Sequence, residues 1–417
     1  MKQYNRIFAG NILFIVMFSF VLLIGCADDP AASIYDPNAP TLPAPVITTI
    51  SVEGGGGLLS GVSTVVIDGQ NFSADSSKVI VFFDAVRATV LSTTLTQIKV
   101  KTPAMVKDSV QIRVTILGAV NFSQTSFVNI NAAVALFGNF TSFEEAYGIT
   151  SDQAGNVYAG MLSSGLGIGL RKFTPAGDTS SYSPKGLSID VWSALKMGPG
   201  GVIYACRNQR ALYTINGQGL PPTLFVAGAS SAKFYDLDFD KNLNIWTGGA
   251  DSNVYRISPV KAITPFVFKK GAIVRSVRVY NDFLYLGGKV DSIEGVWRAP
   301  IDGSGNLGAF TQYFNLSVQP GYAPNGNGIY AITFNTDGEM YVGTDGPDGL
   351  LLVAPAGASM QKYYPGLFIP NALNLVFAWG NGGNLYVTRR ANGVTTHSLL
   401  KINTQKQSAP YYGRGDV

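Results

Sequence analysis

Gly148-Ile149-Thr150, a turn, and then Asn156-Val157-Tyr158-Ala159-Gly160 form a unit that the chain repeats six times. It returns as Ala194-Leu195-Lys196 with Val202-Ile203-Tyr204-Ala205-Cys206, and as Asp236-Leu237-Asp238 with Asn244-Ile245-Trp246-Thr247-Gly248. A fourth copy is Ser276-Val277-Arg278 with Phe283-Leu284-Tyr285-Leu286-Gly287. The last two are Ala331-Ile332-Thr333 with Glu339-Met340-Tyr341-Val342-Gly343, and Asn374-Leu375-Val376 with Asn384-Leu385-Tyr386-Val387-Thr388. The aromatics lie 46, 42, 39, 56 and 45 residues apart. Each copy reads as an apolar strand, a Gly/Asn/Asp turn and a second strand carrying an aromatic. Third strands follow, as at Leu170 to Phe173 and Leu212 to Ile215, and fourth strands fit at Thr223 to Val226, Thr264 to Phe268 and Phe310 to Phe314. Four antiparallel strands in about 45 residues make one propeller blade. The spacing therefore predicts a six-bladed β-propeller over 132–417. A ring needs its last edge covered, and either Ala133 to Phe137 or Ala409 to Tyr412 is apolar enough to do so.

Upstream of the repeats, residues 44–131 alternate in seven short β runs, from Val46–Val52 to Ser126–Ile130, separated by turn residues. That number of strands in under about ninety residues fits an immunoglobulin-like sandwich. Residues 1–25 carry Lys2 and Arg6 and then an apolar run from Ile12 to Ile24, the pattern of a secretory leader. Residues 26–43, rich in Ala, Pro and Asp, read as a tether. The predicted fold class is thus all-β throughout.

Composition restricts function. Only 13% of the 417 residues are charged, against about 25% in ordinary soluble proteins. A formal charge of +4 over this length makes no basic stripe, so nucleic acid is not an expected partner. One histidine and two cysteines exclude His-rich metal clusters and a disulfide framework. No phosphate loop, nucleophile elbow or spaced carboxylate pair is present. The composition favours binding over acid–base chemistry, with no cofactor expected.

Several motifs resemble known families. Leu23-Ile24-Gly25-Cys26 resembles the lipobox of bacterial lipoproteins, which implies lipid attachment at Cys26 and a membrane anchor. Asp28 and Asp29 resemble an export signal for display outside the outer membrane. Pro45-Val46-Ile47, the glycines 54–57, Val66-Ile67-Asp68-Gly69-Gln70-Asn71-Phe72 and Ile98-Lys99-Val100-Lys101-Thr102-Pro103 resemble the IPT/TIG family. Ala154-Gly155-Asn156-Val157-Tyr158 and Asn381-Gly382-Gly383-Asn384-Leu385-Tyr386 resemble NHL and SMP-30-like propellers, and the fourth copy, with Asn281-Asp282-Phe283, departs most. The whole order resembles surface glycan-binding lipoproteins of polysaccharide-uptake systems. That resemblance implies outer-membrane display, an extracellular glycan as ligand, a transporter as partner and the sandwich as spacer.

In a propeller, residues just before the innermost strands surround one channel mouth. Alignment of the six copies places Tyr147, Ser193, Tyr235, Arg275, Tyr330 and Leu373 there, with Trp192 one residue earlier. Loops after the second strands add Arg207, Asn208, Asp251, Lys289, Asp291, Asp345, Asp348, Arg389 and Arg390. Aromatic faces stack on sugar C–H faces while Arg and Asp bond hydroxyls, so Tyr147, Trp192, Tyr235, Arg275, Tyr330, Asp251, Lys289, Asp345 and Arg389 are the candidate ligand residues. Packing between blades is the competing role for each aromatic. Two other functions remain open on the sequence: an envelope protein-interaction scaffold, and a metal-dependent lactonase or lyase using acids such as Glu144, Glu145, Asp236 and Asp238 with Asn374. His397 reads as a loop histidine, Cys206 as a buried thiol, and Arg414-Gly415-Asp416 as a chance match to an adhesion tripeptide.

Overall fold

The computed structural model describes residues 41–186, 190–322, 327–380, 382–390 and 397–416; Cys26 and the leader lie outside them. Two four-stranded antiparallel sheets come first. One orders Val46–Val52, Thr64–Gln70, Gln97–Lys101 and Thr89–Thr93; the other orders Val86–Arg87, Val79–Phe83, Lys107–Ile116 and Ser126–Ile130. Alternation drives this packing: Val65, Ile67, Val79, Val81, Phe83, Ile98, Val100, Ile112 and Val114 all point into one core. The two-residue strand Val86–Arg87 is too short to show a period in the sequence.

The Asp-Gly-Gln-Asn-Phe segment closes one end of the sandwich. Asn71 adopts a left-handed φ of 61°, and its side-chain amide donates to the Ala44 carbonyl at 3.0 Å. Phe72 turns inward and is buried. A Cβ on Gly69 would stand 2.0 Å from the Val46 carbonyl oxygen and 2.4 Å from the Phe72 ring, so only glycine fits.

Among the described residues, six further four-stranded sheets follow, one per repeat. Their innermost strands are Glu144–Ser151, Ala194–Met197, Asp236–Phe239, Ile273–Tyr280, Ile329–Phe334 and Leu373–Trp379. The ring closes from the N-terminal side: Val134–Leu136 pairs antiparallel with Ser398–Asn403 in the sixth blade. Phe137 then packs against Tyr386 and Phe173, joining blades six and one. Fourth strands also form at Thr179–Ser183 in blade one and Met360–Lys362 in blade five. Both are polar, exposed edge strands, which is why hydrophobic patterning did not reveal them.

The turn before the repeated aromatic follows one rule with two solutions in four blades, while blade five uses Asn335, whose Oδ1 accepts from the Glu339 backbone at 3.0 Å. In blade one Asp152 accepts from the Asn156 backbone and side chain at 2.8 Å and from the Tyr158 hydroxyl at 2.9 Å. In blade three Asp240 does the same with Asn244 and with the Trp246 indole at 2.8 Å. In blades two and six a glycine replaces the acid and the ring fills its space. A Cβ on Gly198 would lie 2.4 Å from Tyr204, and one on Gly380 2.6 Å from Tyr386. The fourth blade departs because it uses a two-residue hairpin: Asn281 and Asp282 both have positive φ, 47° and 59°, as a type I′ turn requires.

Asp240→Ala leaves the Trp246 and Asn244 donors buried without an acceptor, so we expect a loss of about 1–3 kcal/mol in urea denaturation. Asp302→Ala, at an exposed turn with similar bonds, should cost less than about 1 kcal/mol. Equal costs would show that the rule is not energetic.

Candidate functional site

All six innermost strands start at one face of the ring, and their first residues surround a hollow of about 190 Å³. Tyr147, Ser193, Tyr235, Arg275 and Tyr330 line it, with Asn208, Ile273, Leu375 and Val376. Five of the six aligned positions therefore meet. In blade six Leu375 and Val376 replace Leu373, because the register slips between Asn374 and Val376.

The rim side chains are held. Arg275 forms a two-pronged pair with Glu294, at 2.8 and 3.1 Å, and donates to the Ile329 carbonyl at 3.1 Å. Its guanidinium lies 5.0 Å above the Tyr330 ring. The Tyr330 hydroxyl donates to Asp345 at 3.2 Å, and Asp345 also accepts from the Gly328 backbone. Burial, and then the Asp345 charge, pushes the Tyr330 hydroxyl up to about 12. Burial likewise raises Tyr147. Such fixed groups lose little freedom when they contact a ligand.

The hollow has a floor. Directly beneath it a space of about 20 Å³ is bordered by Lys196, Asp236 and Ser276, together with Ser193 and Arg275 of the rim. Asp236 accepts from the Ser276 hydroxyl at 3.1 Å and from the Val277 backbone at 2.7 Å. Burial raises its carboxyl, against the pull of Lys196. Lower still, fully buried Arg278 pairs with Asp238 at 2.6 Å and donates to the Pro410 carbonyl at 2.8 Å. Its guanidinium lies 3.7 Å from the centre of the Tyr411 ring, whose hydroxyl meets Thr333 at 2.8 Å. Arg414 reaches the Trp379 carbonyl and folds back on Asp416. The segment Ala409–Asp416 is therefore a stopper in the opposite mouth. The adhesion-like tripeptide within it has its arginine turned inward, with 7% of that side chain exposed.

The other candidates divide. Trp192 is a correction: it is fully buried between blades one and two, edge-on to Tyr213 and against Gly160, so it packs and does not reach the mouth. Asp251 accepts from the Tyr255 hydroxyl at 2.7 Å and the Asn253 backbone, buttressing a turn. Asp345 acts through Tyr330. Lys289 sits half-buried opposite Ile273 on the blade-four hairpin. Arg389 is buried one strand outward from the rim. His397 is a loop residue beside the third strand of blade six, and its Nδ1 lies 2.7 Å from buried Glu145, with Arg390 approaching the same carboxylate at 3.5 Å. Asn208, expected on this face, lines the hollow, whereas Glu145, Glu294 and Ile273 were not singled out as rim residues. Glu294 lies on a third strand, which the repeat marks only weakly. Cys206 is buried, and burial raises its thiol well above the ordinary range.

A catalytic metal would need several of the acids to converge. Glu144 is bound to Arg171, Glu145 to His397 and Arg390, and Asp238 to Arg278. The Asn374 side chain donates to the Thr344 and Gly349 carbonyls. Among the described residues no three His, Cys, Asp or Glu side chains gather at one point. This set does not fit a lactonase-type metal.

Residues 45–128 match the family model of the IPT/TIG domain. No curated protein matches the chain. Among solved structures, a putative phosphatase from Bacteroides thetaiotaomicron is similar at 12% identity, with 86% of this chain and 97% of that one covered and a TM-score of 0.58. An auxiliary nutrient binding protein from the same organism is similar at 13% identity, over 88% and 98%, with a TM-score of 0.50. A putative gluconolactonase is similar at 14% identity, over 67% and 94%, also at 0.50. These likenesses show the fold, and their differing descriptions show that the fold does not choose the activity.

Tyr411→Ala should cost about 3 kcal/mol in denaturation, since it strips Arg278 of its ring and Thr333 of one of its two partners. Tyr411→Phe should cost about 1 kcal/mol. A silent Tyr411→Ala would mean that the stopper does not hold the channel.

Proposed function

We propose that this chain is a non-catalytic, lipid-anchored surface protein that captures an extracellular carbohydrate in the propeller's hollow, with the IPT/TIG sandwich as spacer. The observation that carries the reading is the rim itself. Three half-buried tyrosines, a fixed arginine and small polar groups converge on a cavity closed below. Tyrosine faces suit sugar rings, and the fixed polar groups suit hydroxyls. At about 190 Å³ the hollow is smaller than the roughly 300–1,000 Å³ of drug-sized pockets, which suits one sugar unit or a short projection of a longer chain. The solved Bacteroides protein described as an auxiliary nutrient binding protein shares this architecture and agrees with the reading.

The spacer role is supported by the path of the chain. It enters the sandwich at Val46, beside the Asn71 turn, and leaves at Asn131, which bridges to Leu59 at the other end. The Gln405 side chain donates to the Gly57 carbonyl, so the exit end abuts blade six. Entry and exit are separated by a seven-residue strand, roughly 23 Å. Anchoring at Cys26 and display at the outer membrane, beside a transporter, complete the proposal.

In affinity electrophoresis against a broad polysaccharide panel, Tyr147→Ala and Tyr330→Ala should each weaken retardation about three- to tenfold, while Asp302→Ala leaves it unchanged. Retardation by no polysaccharide, together with recovery of a stoichiometric protein partner from solubilised membranes, would transfer the face to protein recognition. Cys26→Ser should abolish labelling by radioactive palmitate and release the protein from membranes; labelling that persists would sink the anchor.

A further inference from the structure

Arg389 is 7% exposed, and no hydrogen-bond partner serves its Nε. It lies in the second strand of blade six, opposite Asn374 on the innermost strand and Ser398 on the third. Leu375 and Val376, beside Asn374, line the hollow. The Asn374 Oδ1 and Ser398 Oγ atoms are also buried without partners. Among the described residues no carboxylate pairs with Arg389, and residues 391–396, which follow it, include no acid in the sequence. Burial alone acts on its guanidinium, lowering its pKa. Proteins seldom bury a cation without a counter-ion, because the lost hydration is not recovered.

A second feature of the same face points the same way. Lys233, Lys269, Lys270 and Lys289 form an arc over blades three and four. The Val274 backbone donates to Gly249, Gly249 packs on the Lys233 backbone, Ala272 donates to the Lys269 carbonyl, and Ile273 pairs with Lys289. None of these lysines has a carboxylate among the ion pairs of the described residues. On blades three and four Glu294 is paired with Arg275, while Asp251, bonded to the neutral Tyr255, and Asp291, in the turn next to Lys289, keep their charge. Four lysines against two unpaired carboxylates leave this part of the face with a positive excess.

We infer that the ligand is an acidic polysaccharide, a carboxylate- or sulfate-bearing chain with one anionic group paired to Arg389 and others spread along the lysine arc. This rests on the carbohydrate reading above and narrows it. Calorimetry of the mature protein against matched polymers tests it: polygalacturonate against its methyl ester, and dextran sulfate against dextran. The acidic member of at least one pair should bind about tenfold more tightly or better, and binding should weaken as sodium chloride rises from about 50 to about 500 mM. Which pair responds separates carboxylate from sulfate.

Arg389→Gln should lose about tenfold or more in affinity while melting at or above the parent temperature, since it removes an unpaired buried charge. The double change Lys269→Gln and Lys270→Gln should lose about two- to fivefold. Equal binding of acidic and neutral members, binding indifferent to salt, or an Arg389→Gln protein of unchanged affinity would each overturn the inference and leave the carbohydrate reading standing. Failure of every polymer, acidic or neutral, would overturn both.

Discussion

The architecture depends on covering one sheet edge. A propeller blade that ends in an unpaired strand exposes a row of backbone donors and acceptors, and the last blade would do so without Val134–Leu136. Supplying that strand from the start of the ring fixes the circular order of blades. It also brings Tyr147 and Val376 to one rim, although most of the ring's sequence separates them. Because the sandwich ends only a few residues before the closing strand, it is fastened to blade six at its Gln405 turn. The same pairing frees the C-terminal segment from edge duty, and that segment turns into the channel.

The channel then becomes a cup through electrostatics as much as through shape. Lys196, Asp236, Asp238 and Arg278 are all buried on innermost strands, where charge is costly. Each is answered within the channel: Asp236 faces Lys196 and Asp238 faces Arg278, and the Ala409 and Pro410 carbonyls accept from the Arg278 Nη2. The stopper is therefore the counterpart of a charged wall and more than a space filler. Above it the rim ties Arg275 to Glu294 and the Tyr330 hydroxyl to Asp345.

Much of this was legible in the residues, for reasons that can be named. The six aromatics mark second strands, and four seal the turn before them, on an Asp carboxylate or over a glycine. The alignment built on them located five of six rim positions. It failed where the chain breaks strict period: the bulge in blade six substitutes Leu375 and Val376 for Leu373. Trp192 was misplaced for a simpler reason. Neighbouring residues at a strand start face opposite ways, so if Ser193 looks into the hollow its predecessor looks between blades. The partnership of Tyr411 with Arg278 joins distant residues, and Tyr411-Tyr412 had the look of an edge strand. The Glu145–His397 contact likewise joins residues far apart in sequence, across the seam between blades one and six, and no local pattern announces it.

The closing pair also sets when the fold can exist. Val134–Leu136 emerges early in synthesis, yet its partners Leu400 to Ile402 come near the end. Contacts of such sequence separation carry a large loop-closure cost and form late. Until they form, blade six keeps an open edge and the channel charges lack their stopper. Completion of the ring is thus a single late event that commits the whole propeller, and a chain halted before blade six would present raw strand edges to its neighbours.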